Sequence, residues 1–358
     1  MPSKKTIISV YPTVHSTKLA VYTENTLVLF KEIVHPFEEL KKFEGIPEQT
    51  EYRKQIILEE LGSCEMCIEN VKAVVGRGGL IRPVKAGVYG INERMKKQLI
   101  SGKYGMHEAN LGGLIADSLL QEFPDAVALT ANPVVVDELG DLARVSGHPM
   151  FERRSVFHAL NHDAVARRYA DSIQRDYSDM NIIVAYIGRG ISVGAHKKGK
   201  VTDVNQAFDG DGAFSIETSG TLPSGPLVHL CFSGKHSEEE IEKMITSEGG
   251  LFAYLGSDSM KETENMVLEG DTKAKFYFRA MAYQTAKEIG AMSTVLSGNI
   301  DAIILSGEGM LNEYFAKDLI SRISFLSKVI SYPGDNETEA LAKNALRALK
   351  GEADILEY

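Results

Sequence analysis

One order of elements, strand, loop, strand, tight turn, strand, occurs twice in the chain and restricts its fold more than any other feature. The first copy has Thr-Ile-Ile-Ser-Val-Tyr at 6–11, a loop at 12–16, a strand at 17–22, a turn at Glu24-Asn25 and a strand at 27–34. The second has Asn-Ile-Ile-Val-Ala-Tyr at 181–186, a loop at 187–190, a strand at 191–196, a turn at Lys198-Gly199 and a strand at 201–204. Runs of β-branched and aromatic residues bounded by turn residues read as strands. Identity between the copies is low, but the layout repeats. Helical spacing follows each copy, at 49–61, 92–100, 110–123 and 163–177, then at 237–246, 259–268, 272–296, 311–325 and 336–350. Short buried-strand runs lie at 71–75, 126–130, 301–305 and 328–331. Two such units predict a duplicated α/β domain.

The length of 358 residues agrees, since a domain takes roughly 150 residues. The expected division is 1–160 and 161–358, with the last helix, about 336–350, able to pack back on the first domain. A net charge of −10 argues against a non-specific binder of nucleic acid or anionic membrane, while leaving room for a local basic pocket. No apolar run reaches the roughly 18 residues of a membrane span, and the N-terminal run is too short for a signal peptide. Cys64, Cys67 and Cys231 are too few and too uneven for a disulfide framework, so a reducing cytoplasm is expected. The Cys64-x-x-Cys67 spacing lacks a second ligand pair for zinc and reads as incidental.

Glycines cluster where strands end: Gly76, Gly78 and Gly79; Gly188 and Gly190; Gly210 and Gly212; Gly307 and Gly309. In an open α/β sheet ligands sit at strand ends, and glycine lets backbone approach phosphate oxygens. Repeated across a duplicated unit, the clusters favour a nucleotide held between two domains over turns alone. Neither a P-loop nor a Gly-x-Gly-x-x-Gly opening a helix is present. Ser16, Thr17 and Lys18 put two hydroxyls and an ammonium beside a turn, although a lysine on a strand is more often a solvated side chain. Arg77, between glycines, is poised to receive a carboxylate or phosphate bidentately. His107 and His158 each stand near a helix start, where a lone histidine is more often structural than catalytic.

Several segments together resemble the butyrate kinase branch of the acetokinase family, within the superfamily of acetate and sugar kinases, heat-shock chaperones and actin. They are Ala-Val-Val-Gly-Arg-Gly-Gly-Leu at 73–80, Asn-Pro-Val-Val-Val-Asp-Glu at 132–138 and Val-Phe-His-Ala-Leu-Asn-His at 156–162. Gly-Ile-Ser-Val-Gly-Ala-His-Lys at 190–197, Ser-Gly-Thr-Leu-Pro at 219–223 and two stretches within 280–291 extend the match to nearly the whole chain. The resemblance implies a duplicated two-domain actin-like (ribonuclease H-like) fold with a nucleotide cleft. It also implies reversible transfer of the ATP γ-phosphoryl group, with Mg²⁺, to butanoate or a related short-chain acid. By the same resemblance Arg77 receives carboxylate or transferring phosphate, and His107 and His158 stand at active-site histidine positions. Ser16 and Lys18 end the first phosphate loop, Gly188, Arg189 and Gly190 form the second, Ser306 and Gly307 lie on the adenine side, and Glu337 matches the acidic residue associated with Mg²⁺. A homo-oligomer is implied too, with 272–296 a candidate face; a buried core helix would look the same.

The departures fall in the loops. Tyr11-Pro12-Thr13-Val14-His15-Ser16-Thr17-Lys18 stands for a loop close to Asn-Pro-Gly-Ser-Thr-Ser-Thr-Lys, so Thr13 is strained if a positive φ is needed there. Tyr186-Ile187-Gly188-Arg189-Gly190 stands for His-Leu-Gly-Gly-Gly; Arg189 either fills the phosphoryl volume or points out and binds phosphate itself. Asn132 replaces an aspartate, Thr218 an arginine, and Glu308 enters a Gly-Gly loop. Asn cannot act as a carboxylate or a base. The departures point to a carboxylate kinase whose activity is weakened or lost. The alternative is a non-catalytic pseudoenzyme, binding nucleotide or acyl phosphate or serving as partner subunit of an active paralogue; a pyrophosphate donor ranks last.

Overall fold

The structure, a computed structural model, describes residues 4–64, 68–334 and 336–358. Cys67 of the Cys64-x-x-Cys67 spacing lies outside them. The chain divides into two compact units, Met1–Val136 with Asn336–Tyr358, and Asp137–Asp335.

In the first unit β1 (Thr6–Pro12), β2 (Ser16–Thr23) and β3 (Thr26–Val34) form an antiparallel meander. β4 (Val71–Arg77) pairs parallel to β1, and β5 (Val88–Gly90) and β6 (Val127–Ala131) extend the sheet beyond it. In the second unit β7 (Asn181–Ile187), β8 (Ile191–Lys197) and β9 (Lys200–Val204) repeat the meander, and β10 (Ala302–Gly307) and β11 (Val329–Pro333) repeat the parallel strands. With β12 (Ile355–Leu356) at the edge, the sheet orders are β12-β5-β6-β4-β1-β2-β3 and β11-β10-β7-β8-β9. The shared core, three antiparallel strands followed by two parallel ones, is the same in both. Even the register irregularity recurs, at Val21/Tyr22 and at Ala195/His196.

Both central strands are buried on both faces, which is why they read as continuous apolar runs. Ile8 and Val10 join Ile57 and Leu61 of the helix Gln49–Gly62 and Leu111, Ile115 and Leu119 of the helix Asn110–Leu119. The helix Glu337–Leu349, outside that cluster, lies against β1, β2, β4 and β6 and covers the opposite face. In β7, Ile183, Ala185 and Ile187 meet Phe278, Met281 and Ile289 of the long helix Thr272–Val295. Ile182 and Val184 meet Val165, Ala166 and Tyr169 of the helix Ala159–Ser172. The long helix therefore has a core face, and exposes Phe276 and Tyr283 on the other side.

Element limits differ from the expected ones where capping decides. The helix expected at 163–177 is Ala159–Ser172, because the buried Ala159 and Leu160 begin it after His158 and Gln174 takes a left-handed φ of 53° beyond its end. The helix expected at 311–325 is Glu313–Ile323, started by Asn312, whose side chain accepts the Phe315 N–H at 2.8 Å. Strands β5 and β12 have two or three residues each and were not expected; their pairing partners are remote in sequence.

Some glycines answer to packing rather than to a ligand. A Cβ on Gly76 would collide with the Gly112 carbonyl, and one on Gly112 with the Arg77 carbonyl, so β4 and the helix Asn110–Leu119 touch backbone to backbone. Gly290, inside the long helix, has open space around it. Gly112→Ala should destabilise by about 3 kcal/mol, as overpacking of a rigid contact does. Gly290→Ala should stabilise by about 0.5–1 kcal/mol through helix propensity. Denaturant unfolding of the two variants measures both, and opposite signs are expected.

Candidate active site

The loop after β1 closes on itself. Thr13 N–H donates to the Ser16 carbonyl at 2.8 Å, the two hydroxyls are 2.9 Å apart, and Ser16 Oγ donates to Glu32 at 3.0 Å. Thr13 is not among the residues at positive φ, so the loop adopts its shape without a glycine there. Beneath it lies Arg53, fully buried, a residue that sequence reasoning missed. Its Nη1 donates to the carbonyls of Thr13 and Ser16 at 3.0 Å and to Thr17 Oγ1 at 3.1 Å, and Nη2 donates to the Val14 carbonyl at 3.0 Å. Nε and Nη2 also donate to Gln49 at 3.1 and 2.8 Å. All these partners are neutral. Burial pulls the guanidinium down to about 10, Glu108 and Tyr52 opposing, so it stays charged near neutrality and makes the loop electropositive from below. The signal was available: Arg53 shares the buried four-residue stripe of Ile57 and Leu61.

Arg77 leaves the end of β4 and donates from Nη1 to the Pro12 carbonyl at 3.0 Å. Its guanidinium lies 4.5 Å from the centre of the Tyr11 ring, and the Lys18 ammonium 6.0 Å from the same ring. Tyr11 is thus a platform that holds two cations close to one loop. Arg77 Nε is buried and has no hydrogen-bond partner among the described residues. His107 accepts the Ala109 N–H on Nδ1 at 3.0 Å. Burial, then the Arg77 charge, hold it neutral down to about 4, with Glu108 opposing. Asn132, buried at a left-handed φ of 41°, accepts the Gly87 N–H on Oδ1 at 2.8 Å, a bond aspartate could also make. Glu337 opens the helix Glu337–Leu349 and is buried.

In the second unit the turn after β7 is Gly188-Arg189-Gly190, with Gly188 N–H donating to the Gly190 carbonyl at 3.0 Å. Arg189 does not stand alone. It forks onto Glu217, Nε to Oε1 at 3.0 Å and Nη2 to Oε2 at 2.5 Å, with Asp258 at 3.5 Å. Thr218 is buried beside this pair, its hydroxyl 2.7 Å from Ser215 Oγ, which also donates to the Arg189 carbonyl. The arginine at 189 and the threonine at 218 therefore belong to one hydrogen-bonded turn. His158 stacks on Tyr186, ring centres 3.9 Å apart, and its Nδ1 is 2.9 Å from Ser192 Oγ. Tyr11 and Tyr186, at matching places in the two meanders, each carry a candidate site residue on a ring face. Ser306 is turned inward, donating to Asn161 at 2.6 Å, and Gly307 has a φ of 95° with no room for a Cβ against Ile187. Among the described residues no group of three or more His, Cys, Asp or Glu could by itself hold a metal. No described helix is long and apolar enough to cross a membrane.

The Acetokinase family profile matches residues 147–340. Butyrate kinase 2 of Clostridium acetobutylicum is 47% identical over 352 residues, 98% of this chain and 99% of that protein. The chain belongs to the acetokinase family. A probable butyrate kinase of Listeria monocytogenes is 44% identical over 353 residues, 98% of this chain and 99% of that one. Among solved structures, Porphyromonas gingivalis acetate kinase superposes with a TM-score of 0.76 at 18% identity, covering 96% of this chain and 100% of that chain. A propionate kinase from Francisella tularensis gives 0.73 at 17% identity, covering 95% and 98%. Within this family of butyrate kinase and acetokinase type, the fold is the two-domain actin-like one, as the repeated sheet order requires.

Two tests follow from the buried charges. Arg53→Met should cost about 2–4 kcal/mol by orphaning the loop carbonyls, with Arg53→Lys intermediate; unfolding curves read both. Acid should destabilise the fold with a defined sign. His35 and His107 are held at about 4 and His196 at about 3, all primarily by burial, against an ordinary 6.5. The unfolded chain takes up these protons first, so stability is full above pH 6.5 and falls as pH drops through about 4. Urea midpoints between pH 7.5 and 4.5 measure it.

Proposed function

We propose that this protein transfers the γ-phosphoryl group of ATP reversibly to butanoate or an acid of similar size, giving acyl phosphate and ADP, at a reduced rate. The observation that carries the reading is Arg77, anchored on Pro12 and Tyr11 with a buried Nε left without a partner among the described residues. A fixed, incompletely satisfied guanidinium suits an anionic ligand that completes its hydrogen bonds. The 47% identity to a butyrate kinase supports the choice of acid.

The chemistry asks little of a general base. A short-chain carboxylic acid is already ionised at neutral pH, so a carboxylate oxygen attacks phosphorus directly while the bond from phosphorus to the bridging oxygen of ADP breaks. No proton is transferred, and Asn132 in place of an acid removes no base that the step requires. What the step needs is positive charge and donors around the transferring group. In the first unit Arg77 and Lys18 supply charge, with Arg53 adding to the field of the first loop, and His107 supplies a neutral imidazole; the second unit offers the imidazole of His158. Glu337 offers an oxygen donor where Mg²⁺ is expected, and this ion is commonly held by one or two carboxylates together with phosphates and water. Bound there, it would offset the charge of the polyphosphate. Thr218, its hydroxyl committed to Ser215, supplies no charge. Loss of an arginine at a transferring phosphoryl group costs on the order of 10³-fold, which is the basis for a slow enzyme.

A second reading has one observation behind it. The Arg189–Glu217 fork answers the one new cation internally, which suits a non-catalytic protein that binds nucleotide or acyl phosphate. Trapping of acyl phosphate with hydroxylamine, at high protein concentration and with a series of short-chain acids, separates the two. Product is expected with butanoate; nucleotide binding by calorimetry without product in any case supports the second reading. Arg77→Lys should lower kcat/KM by about 10²-fold or more, since lysine cannot reproduce a bidentate fork. Asn132→Asp combined with Thr218→Arg should raise the rate, and an unchanged rate would show that these positions do not limit it.

A further inference from the structure

Helix and strand periodicity build a line of polar groups behind His158. His158 and His162 are four residues apart at the start of the helix Ala159–Ser172 and so share a face. Ser192, Gly194 and His196 alternate along β8 and share a face too. Gly194 leaves the His162 ring its room, since a Cβ there would come within 3.2 Å of Nδ1. The result is a continuous chain. Tyr177 Oη is 2.6 Å from His196 Nδ1, and His196 Nε2 is 3.2 Å from His162 Nδ1. His162 Nε2 is 2.9 Å from Ser192 Oγ, and Ser192 Oγ is 2.9 Å from His158 Nδ1. His162, His196 and Ser192 are fully buried, and Tyr177 nearly so.

We propose that Tyr177, His196, His162 and Ser192 are positioning residues that hold His158 as its Nε2–H tautomer, a hydrogen-bond donor fixed in direction by its stacking on Tyr186. A neutral imidazole that accepts on one nitrogen donates from the other. A serine hydroxyl has one proton and can accept twice, but were Ser192 to accept from both His162 and His158 its own buried proton would lack an acceptor among the described residues, so the line favours a single direction along its length. Two directions exist. If the chain runs away from Tyr177, the phenol donates to His196, His196 to His162, His162 to Ser192 and Ser192 to His158 Nδ1. Every proton in the line then has an acceptor, and the proton of His158 is on Nε2. If it runs the other way, the buried phenol proton is left over, because His196 Nδ1 is the hydrogen-bond partner of that oxygen among the described residues. A buried donor without an acceptor is costly, and the first direction wins. Burial keeps both inner imidazoles neutral and the phenol protonated, as the relay requires. The consequence for phosphoryl transfer rests on the carboxylate-kinase reading; the tautomer itself does not.

The test uses the full chain labelled with ¹⁵N-histidine and long-range ¹H–¹⁵N spectra, with the His158 signals assigned by His158→Gln. Wild type should show a protonated Nε2 and an unprotonated Nδ1 at His158. Tyr177→Phe removes one hydroxyl and little volume, and should leave His158 a mixture of tautomers, as should Ser192→Ala. In the hydroxylamine assay these two variants should lower kcat by roughly 3- to 10-fold with KM little changed, a fraction of what a lost donor costs. A protonated Nδ1 at His158 in wild type would overturn the proposal. So would a His158 tautomer that is the same in Tyr177→Phe as in wild type, which is what a merely structural tyrosine gives. If the spectra behave as expected and no variant, nor wild type, makes acyl phosphate, the relay stands and the carboxylate-kinase reading fails.

Discussion

In each unit the candidate site residues depend on the burial of the central strand, β1 or β7, on both faces. Strands enclosed by helices on either side can present chemistry only at their ends. The loop after β1, Arg77 at the end of β4, the Gly188-Arg189-Gly190 turn after β7 and Gly307 at the end of β10 are all such ends. Duplication supplies the set twice. The parallel pairing of β1 with β4 and of β7 with β10 places the two ends of each pair side by side.

Within that frame the protein solves an electrostatic problem. A chain of net charge −10 has to gather cations where an anion is to be bound. In the first unit two of them have neutral hydrogen-bond partners: Arg53 is held by carbonyls and Gln49, and Arg77 by a carbonyl and the face of Tyr11. Neutral partners fix the geometry and leave the charge available. The second unit does the reverse at Arg189, where Glu217 and Asp258 answer the guanidinium. That side chain is 61% exposed, so the pair does more to set its direction than to add stability. The same unit presents the His158 imidazole, stacked on Tyr186, instead.

Much of this was legible in the residues. The meanders were readable because both-face burial writes an unbroken β-branched run, and the family because its loop segments are specific in combination. Arg77, His107 and His158 could be named for the same reason. Capping and remote pairing were harder. β5 and β12 carry too few residues to show a period, and the helix beginning at Ala159 looked as though it began at Asp163 because its first turn is apolar on the inner side. Arg53 passed for an ordinary helix residue, although its place in the stripe of Ile57 and Leu61 marks it as buried. The glycine clusters were partly misleading. Gly76 and Gly307 are required by protein backbone against them, a cause that looks in sequence the same as approach to a phosphate.

The sequence by itself determined the duplicated α/β layout, the family and the residues worth watching, because periodicity and short loop motifs are local properties. Only the tertiary structure decided what those residues do to one another. That Arg189 turns to Glu217, that Thr218 is tied through Ser215 to the same turn, and that Tyr177 reaches His158 through two histidines and a serine are long-range matters. The direction of a guanidinium or of an imidazole proton follows from which acceptor lies within 3 Å or so, and that acceptor is set by how strands and helices distant in the chain come to pack.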